Sequence, residues 1–238
     1  MKQHEPQKLS IYTPAYSWQA GYPQSGNTWL CFILAGLFDR VPQTWDEGAA
    51  LIPNWDRVAR GQAEAPLSWV RYHGKYDPRT FSPVAEILYI VRHPFDVMLS
   101  SYRYRKQYHG WRAGRSAYVA RFIANLGEPK NANIGAGTWC ENVESYLDQP
   151  NVTMLRYENL ITNPMAEMRR TLRGAIPVER IARAIDGAAL ARMSRLDTQG
   201  FVGAGRAGAW RDALTRTQAR NAERAFGETM ARIGYEGR

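Results

Sequence analysis

A chain of 238 residues, 45% of them hydrophobic, is long enough for one α/β domain with a sizeable core, and no break in composition asks for a second, so residues 1–238 read as a single domain. The formal net charge of +9 favours anionic ligands or surfaces without choosing among nucleotide, nucleic acid and lipid headgroup. Cys31 and Cys140 form neither a disulfide framework nor a metal motif, and no apolar run approaches a membrane span; a cytoplasmic protein with free thiols and no metal site is the expectation.

Met1 to Lys8 is polar, and Leu9 to Tyr12 adds a short extended piece. Tyr16 to Tyr22 reads as a strand and Trp29 to Phe38 as a buried helix. Between them Pro23, Ser25, Gly26 and Asn27 make a tight turn that delivers backbone N–H groups and two hydroxyls to the helix start. A strand, a small-residue loop and a helix N-terminus form an anion site, because the first helical amides lack partners and the helix dipole adds positive potential. An ordinary strand-to-helix turn is the other reading of this stretch.

Asp39 to Ala65 mixes proline, glycine, tryptophan and charge, and reads as short helices and loops over one end of the sheet, a candidate pocket wall. Pro66 to Tyr72 is a second strand that runs into Arg71-Tyr72-His73-Gly74-Lys75. Glu86 to Val91 is the third, apolar without alternation as buried parallel strands are, and a helix from Phe95 to Arg105 follows Arg92-His93-Pro94. Arg103, Arg105, Lys106, His109, Arg112 and Arg115 are interleaved with Tyr102, Tyr104, Tyr108 and Trp111. With no recognised nucleic-acid motif, this stretch reads as a solvated helix face leading to a pocket-side loop rather than as a nucleic-acid interface.

Ser116 to Leu126 and Thr138 to Leu147 fit helices on either side of a flexible Gly127 to Gly137. Val152 to Arg156 is the fourth strand, and Asn163-Pro164 starts another helix. Pro177 to Ala184 and Ala188 to Leu196 are short helices, Gly200 to Gly208 is a mobile loop, and Thr215 caps a closing helix to Ile233. Strands alternating with helices argue for a three-layer α/β domain with a parallel sheet, its crevice beyond the strands' carboxyl ends. Trp18, Trp45, Trp55, Trp69 and Trp111 lie outside the clearest helices and are candidates to line it.

Three stretches carry a resemblance. Tyr22-Pro23-Gln24-Ser25-Gly26-Asn27-Thr28-Trp29 resembles the 5′-phosphosulfate loop of sulfotransferases that use 3′-phosphoadenosine 5′-phosphosulfate (PAPS), of the cytosolic and small bacterial branches. Tyr89 to Tyr102 resembles that family's 3′-phosphate motif, in which an arginine after the strand and a serine on the next helix clamp the phosphate; Arg92 and Ser100 match them. The competing reading pairs Arg92 with Asp96 and leaves Ser100 packed in its helix. Arg71-Tyr72-His73 resembles the family's K-x-H pattern, with His73 as general base and Arg71 in place of the lysine. A strand-end histidine can act as a base on its own account, since its unperturbed pKa lies near neutrality, and a polar surface or capping residue is the other reading of the position.

The resemblance implies a P-loop-like three-layer domain with four to five parallel strands. It implies that Ser25, Gly26, Asn27 and Thr28 hold the 5′-phosphate and sulfonate while Trp29 stacks near adenine. Tyr157, in a segment similar to R-Y-E-D-L, is implied near the donor, and Leu190 falls where an aromatic adenine contact is usual. The late R-K-G-x-x-G-x-W loop is altered: Gly203, Ala204 and Gly205 occupy its first positions, so both cations are absent and Arg206 stands next door. Gln24 replaces the usual lysine and brings no charge, leaving Lys75, Arg71 or Arg206 as substitutes. The absence of G-x-x-x-x-G-K-[ST] gives no basis for a magnesium nucleotide site. The implied reaction moves a sulfuryl group from PAPS to a hydroxyl or amine of a small acceptor, whether aromatic, sugar or natural product, releasing 3′-phosphoadenosine 5′-phosphate (PAP). Another donor on the same fold, or non-catalytic binding of a nucleotide or partner, are the alternatives.

Overall fold

The four expected strands line up as one parallel sheet. The computed structural model describes residues 16–197 and 205–235. In chain order, β1 (Ser17–Ala20) leads into α1 (Asn27–Leu37), and α2 (Trp45–Leu51) and α3 (Trp55–Ala59) precede β2 (Trp69–Tyr72). β3 (Ile87–Val91) feeds α4 (Pro94–Tyr108), followed by α5 (Arg115–Ala124), a 3₁₀ turn at Pro129–Ile134 and α6 (Trp139–Tyr146). β4 (Val152–Arg156) runs directly into α7 (Tyr157–Thr162), then α8 (Pro164–Thr171), α9 (Val178–Gly187), α10 (Leu190–Leu196), α11 (Trp210–Ala213) and α12 (Arg216–Arg232).

The strand order is β2-β1-β3-β4. The chain leaves β1 on one side to make β2 and returns on the other to make β3, so the direction of winding reverses between the two central strands. A crevice opens beyond the carboxyl ends at such a point. Register brings those ends level: Ala20 faces both Tyr72 and Tyr89, and Val91 faces Arg156.

Helices cover both faces. α1 is apolar almost all round and is buried at every position but Thr28, as a helix packed on both sides must be. Its Leu30, Ile33 and Leu34 share a core with Ile90 and Leu155 of the sheet and with Ile181 and Ala184 of α9. On the other face Tyr89 stacks on Tyr146 at 4.3 Å, and Trp139 and Phe226 bring α6 and α12 into the same core.

Several expectations need correcting. Gly127 to Gly137 is not a flexible spacer, because the buried Glu128 carboxylate caps Lys130 N–H and accepts from Tyr118 and Arg121. The basic stretch is not one solvated face: Arg105 is buried 3.9 Å from Glu128, and Arg103 lines the site described below. Trp18 and Trp69 are core residues, and Trp111 packs edge-on to Tyr118 beneath Arg121. Arg92 is not paired with Asp96, whose carboxylate accepts the amides of Gly208 and Trp210. The His93 ring accepts from Phe95 N–H at the start of α4 and stacks on Trp210.

Thr215 caps α12 as expected, in a reciprocal box with Gln218. The extended piece at Leu9 to Tyr12 and the positions Gly200 to Ala204 lie outside the described residues. Among the described residues, no helix is long and apolar enough to cross a membrane and no cluster of three or more His, Cys, Asp or Glu is arranged for a metal.

Candidate functional site

Each strand ends in a residue that faces one cavity of about 480 Å³. β1 supplies the loop Pro23–Asn27, β2 supplies Arg71 and His73, β3 supplies Arg92, and β4 supplies Tyr157. Ser100 and Arg103 reach it from α4, Thr28 and Trp29 from α1, and Gly205 from the late loop.

The loop owes its shape to interactions below it. Gln19, a fully buried polar residue on β1, donates to Asn27 Oδ1 at 2.8 Å, and Asn27 Nδ2 donates to the Tyr22 carbonyl at 2.9 Å. Asn27 therefore spends its side chain holding the loop closed on its own helix. Gly26 has φ 101, and a Cβ there would lie 2.5 Å from Tyr157 Cδ2; only glycine permits that approach. Asn27, Thr28 and Trp29 of the first turn of α1 line the cavity, where a helix leaves its first amides without intrahelical partners. Ser25 does not line the cavity: it is buried, and its Oγ has no hydrogen-bond partner among the described residues.

Arg92 is the centre of the β3 side. Its guanidinium lies 4.2 Å over the Tyr157 ring, with Nη1 donating to the Gln24 carbonyl at 3.2 Å and Nη2 reaching the Arg206 carbonyl at 3.5 Å. Its Nε is buried with no partner among the described residues. Ser100 Oγ donates to Gln24 Oε1 at 3.0 Å. Trp29 stands edge-on to Tyr157 and donates its indole N–H to the Ala188 carbonyl.

On the β2 side, His73 Nδ1 lies 2.9 Å from the Gly21 carbonyl. A carbonyl only accepts, so Nδ1 carries the hydrogen and Nε2 is left with a free lone pair. Burial, with the Arg71 charge second, pushes the imidazole from 6.5 down to about 4, against the Gly21 bond, which raises it. The ring is neutral at pH 7, with its acid limit well below the near-neutral value expected of an unperturbed histidine. Arg71 is oriented by Asn54, whose Oδ1 accepts from Nε at 2.8 Å.

The cavity thus unites Gln24, Gly26, Asn27, Thr28, Trp29, Arg71, His73, Arg92, Ser100, Tyr157 and Gly205. It does not recruit the other substitute cations. Arg206 turns out to Asp212 at 2.6 Å, and Lys75 lies 3.8 Å from Glu141 and is half exposed. Leu190 opens α10, and its side chain lies outside the described set. Residues that the sequence reading passed over are Arg103, Asn54, Asn131, Ile134 and Met193; Trp45 and Trp55 form the wall foreseen between Asp39 and Ala65. Arg103 had a signal, lying one helical turn beyond Ser100.

A family model described as the sulfotransferase domain matches residues 16–234. A 3-alpha-hydroxysteroid sulfotransferase of Cavia porcellus is 25% identical over 179 residues, covering 63% of this chain and 54% of that protein. The chain therefore spans about half the length of the curated relatives it matches. A crystal structure of retinol dehydratase in complex with androsterone and PAP superposes with a TM-score of 0.69 at 16% identity, covering 92% of this chain and 81% of that one. A mouse sulfotransferase complexed with PAP gives 0.68 at 17% identity, covering 92% and 86%.

Proposed function

Because the chain belongs to the sulfotransferase domain family, we propose that it is an enzyme transferring a sulfuryl group from PAPS to a hydroxyl of a small-molecule acceptor, within a single domain. The observation that carries this reading is the tautomer of His73, which presents the Nε2 lone pair to the same cavity that receives the Gly26 loop and Arg92. The residues present fit the donor. Arg71, Arg92 and Ser100 line the cavity beside the Gly26 loop, and the buried Arg92 Nε has no partner among the described residues, a donor that a bound phosphoryl or sulfuryl oxygen answers.

When bound, PAPS supplies an activated sulfuryl group; the chain supplies position, charge and a proton acceptor. The loop amides and Thr28 hold the 5′ end, and Tyr157 and Trp29 form the aromatic walls for the base. Arg92 and Ser100 engage the 3′-phosphate. His73 Nε2 takes the acceptor hydroxyl's proton, and the Nδ1–H bond to Gly21 keeps the ring in that tautomer and orientation. Arg71, oriented by Asn54, stabilises negative charge at the point of transfer, a role that the uncharged Gln24 cannot fill.

Gln24 and the uncharged Gly203-Ala204 pair support placing the chain among small or cytosolic-type members with altered 5′ and late loops. Trp45, Trp55 and Tyr72 support an aromatic or otherwise extended acceptor, such as a phenol, a sugar or a natural product. The free thiols Cys31 and Cys140 support a reducing, cytoplasmic setting.

The test is PAP release and mass-detected product with PAPS and a panel of phenolic, sterol and sugar hydroxyls. His73→Ala is expected to lower turnover by roughly 10²–10⁴-fold while sparing PAP affinity. Absence of PAP binding by the wild type, together with no product on any acceptor, would sink the donor assignment.

A further inference from the structure

Arg103 is the cavity cation that the resting protein leaves unengaged. It projects from α4 one turn beyond Ser100, on the same face, and both line the cavity with Arg92. Among the described residues it makes no hydrogen bond or ion pair. The other two cavity arginines are committed: Arg71 to Asn54, and Arg92 to the Gln24 and Arg206 carbonyls and the Tyr157 ring.

The nearby acid, Asp96, offsets its charge only in part. Asp96 is turned to the amides of Gly208 and Trp210, at 2.6 and 3.0 Å. The carboxylate that does line the cavity, Asp56, bears on Tyr72 instead. Arg92 and Arg103 repel one another, and partial withdrawal from water together with that like charge holds Arg103 below its ordinary value. Two guanidiniums that line one cavity, with the Asp96 carboxylate hydrogen-bonded to backbone amides rather than to either of them, are stabilised when an anion occupies the space beside them.

Resting on the PAPS reading of the cavity, we infer that Arg103 is a specificity-determining residue: the second guanidinium of an Arg92–Ser100–Arg103 cradle for the terminal 3′-phosphate dianion of the nucleotide. It brings to the phosphate the charge that Gly203 and Ala204 lack. Arg92 has one face spent on Tyr157 and its fork drawn to carbonyls, so it serves as the fixed half. Arg103, on an open helix face, is the half free to rotate onto the phosphate and donate in bidentate fashion.

Calorimetric titration of PAP and AMP into wild type, Arg103→Gln and Arg103→Lys tests this. Wild type is expected to prefer PAP. Arg103→Gln should raise the Kd for PAP roughly tenfold to a hundredfold, the effect of losing a charge-assisted phosphate contact, and change that for AMP less than about threefold. Arg103→Lys should recover part of the PAP affinity, since it keeps the charge but not the fork. A thermal melt without ligand separates recognition from support: relief of like-charge repulsion leaves Arg103→Gln at least as stable as wild type, whereas a packing role would lower its Tm. Equal losses for PAP and AMP, or an unchanged PAP affinity, overturn the inference and leave the donor reading standing. Failure of the wild type to bind PAP overturns the donor reading and the inference together.

Discussion

Gly26→Ala tests the construction of the cavity without depending on turnover. The added methyl would sit 2.5 and 2.9 Å from Tyr157 Cδ2 and Cε2 and 3.3 Å from Ile90 Cδ1. The ring has little room to yield, with the Arg92 guanidinium 4.2 Å above it and Trp29 at its edge. A left-handed alanine costs roughly 1–2 kcal/mol and overpacking of this kind about 1–3, while a stiffer unfolded chain returns about 0.4–1. The net expectation is a destabilisation of roughly 2–4 kcal/mol, or about 5–15 °C in Tm for a chain of this size. Gly61→Ala is the matched control: its φ is 67 but nothing lies within 4 Å of the added methyl, so only the conformational cost of about 1 kcal/mol applies. Urea unfolding followed by tryptophan fluorescence reads both. Because the displaced tyrosine carries Arg92 with it, PAP affinity should fall in Gly26→Ala and not in Gly61→Ala. If the two variants lose equal stability, Tyr157 is not wedged against the loop and the reasoning fails.

Arg92→Ala should weaken PAP far more than AMP, by about tenfold or more, since only PAP carries a 3′-phosphate; equal losses in calorimetry would refute the clamp. The depressed His73 makes folding pH-dependent: the unfolded chain takes up a proton below about 6.5 while the folded chain does so only near 4. Its contribution is intact above 6.5 and is lost as pH falls toward 4, so at pH 5 wild type should have lost on the order of 2 kcal/mol relative to pH 7 that His73→Asn does not lose, as urea melts of the pair at both pH values would read. Asp96→Asn exchanges one accepting oxygen for an N–H₂ aimed at a backbone amide, so the late loop should loosen by about 1.5–3 kcal/mol, seen as faster amide exchange at Gly208 and Trp210.

Apolar runs made the sheet legible. Ile87–Val91 is buried along its whole length, and no alternation is possible for a strand covered on both faces. The strand-end residues Arg92, His73 and Tyr157 were legible with it, because parallel strands deliver their carboxyl ends to one side. What escaped depended on partners distant in sequence. The side-chain partners of Asn27 were not legible, because nothing local reveals that Gln19 and the Tyr22 carbonyl take up its amide. Arg206 and Lys75 read as spare cations, yet each has a carboxylate waiting, in Asp212 and Glu141. Glu128 turned a glycine-flanked spacer into an ordered 3₁₀ turn that presents Asn131 and Ile134 to the cavity, through contacts to α5 that no local pattern encodes.

Gln24 decides what Ser100 can do, and so how the uncharged loop binds an anion at all. The Ser100 hydroxyl has one proton, and in the resting protein it is given to Gln24 Oε1 at 3.0 Å. While that bond stands, Ser100 meets a phosphate with lone pairs only. A half-turn of the amide presents Nε2 instead; Ser100 then accepts, and its proton is released toward the phosphate. Gln24→Glu removes the donating face. A carboxylate would hold the serine proton permanently and add a negative charge beside Arg92, so PAP affinity should fall roughly a hundredfold or more, while the ligand-free Tm stays level or rises through the new ion pair. Gln24→Met removes both faces, frees the hydroxyl and should bind PAP within about threefold of wild type. Gln24→Lys always donates and adds charge, so it should tighten PAP, most of all at low salt. Calorimetry on the three variants orders them lysine, methionine, glutamate from tightest to weakest. A glutamate variant that binds PAP as tightly as the methionine variant would show that the direction of the Gln24–Ser100 bond has no bearing on the phosphate.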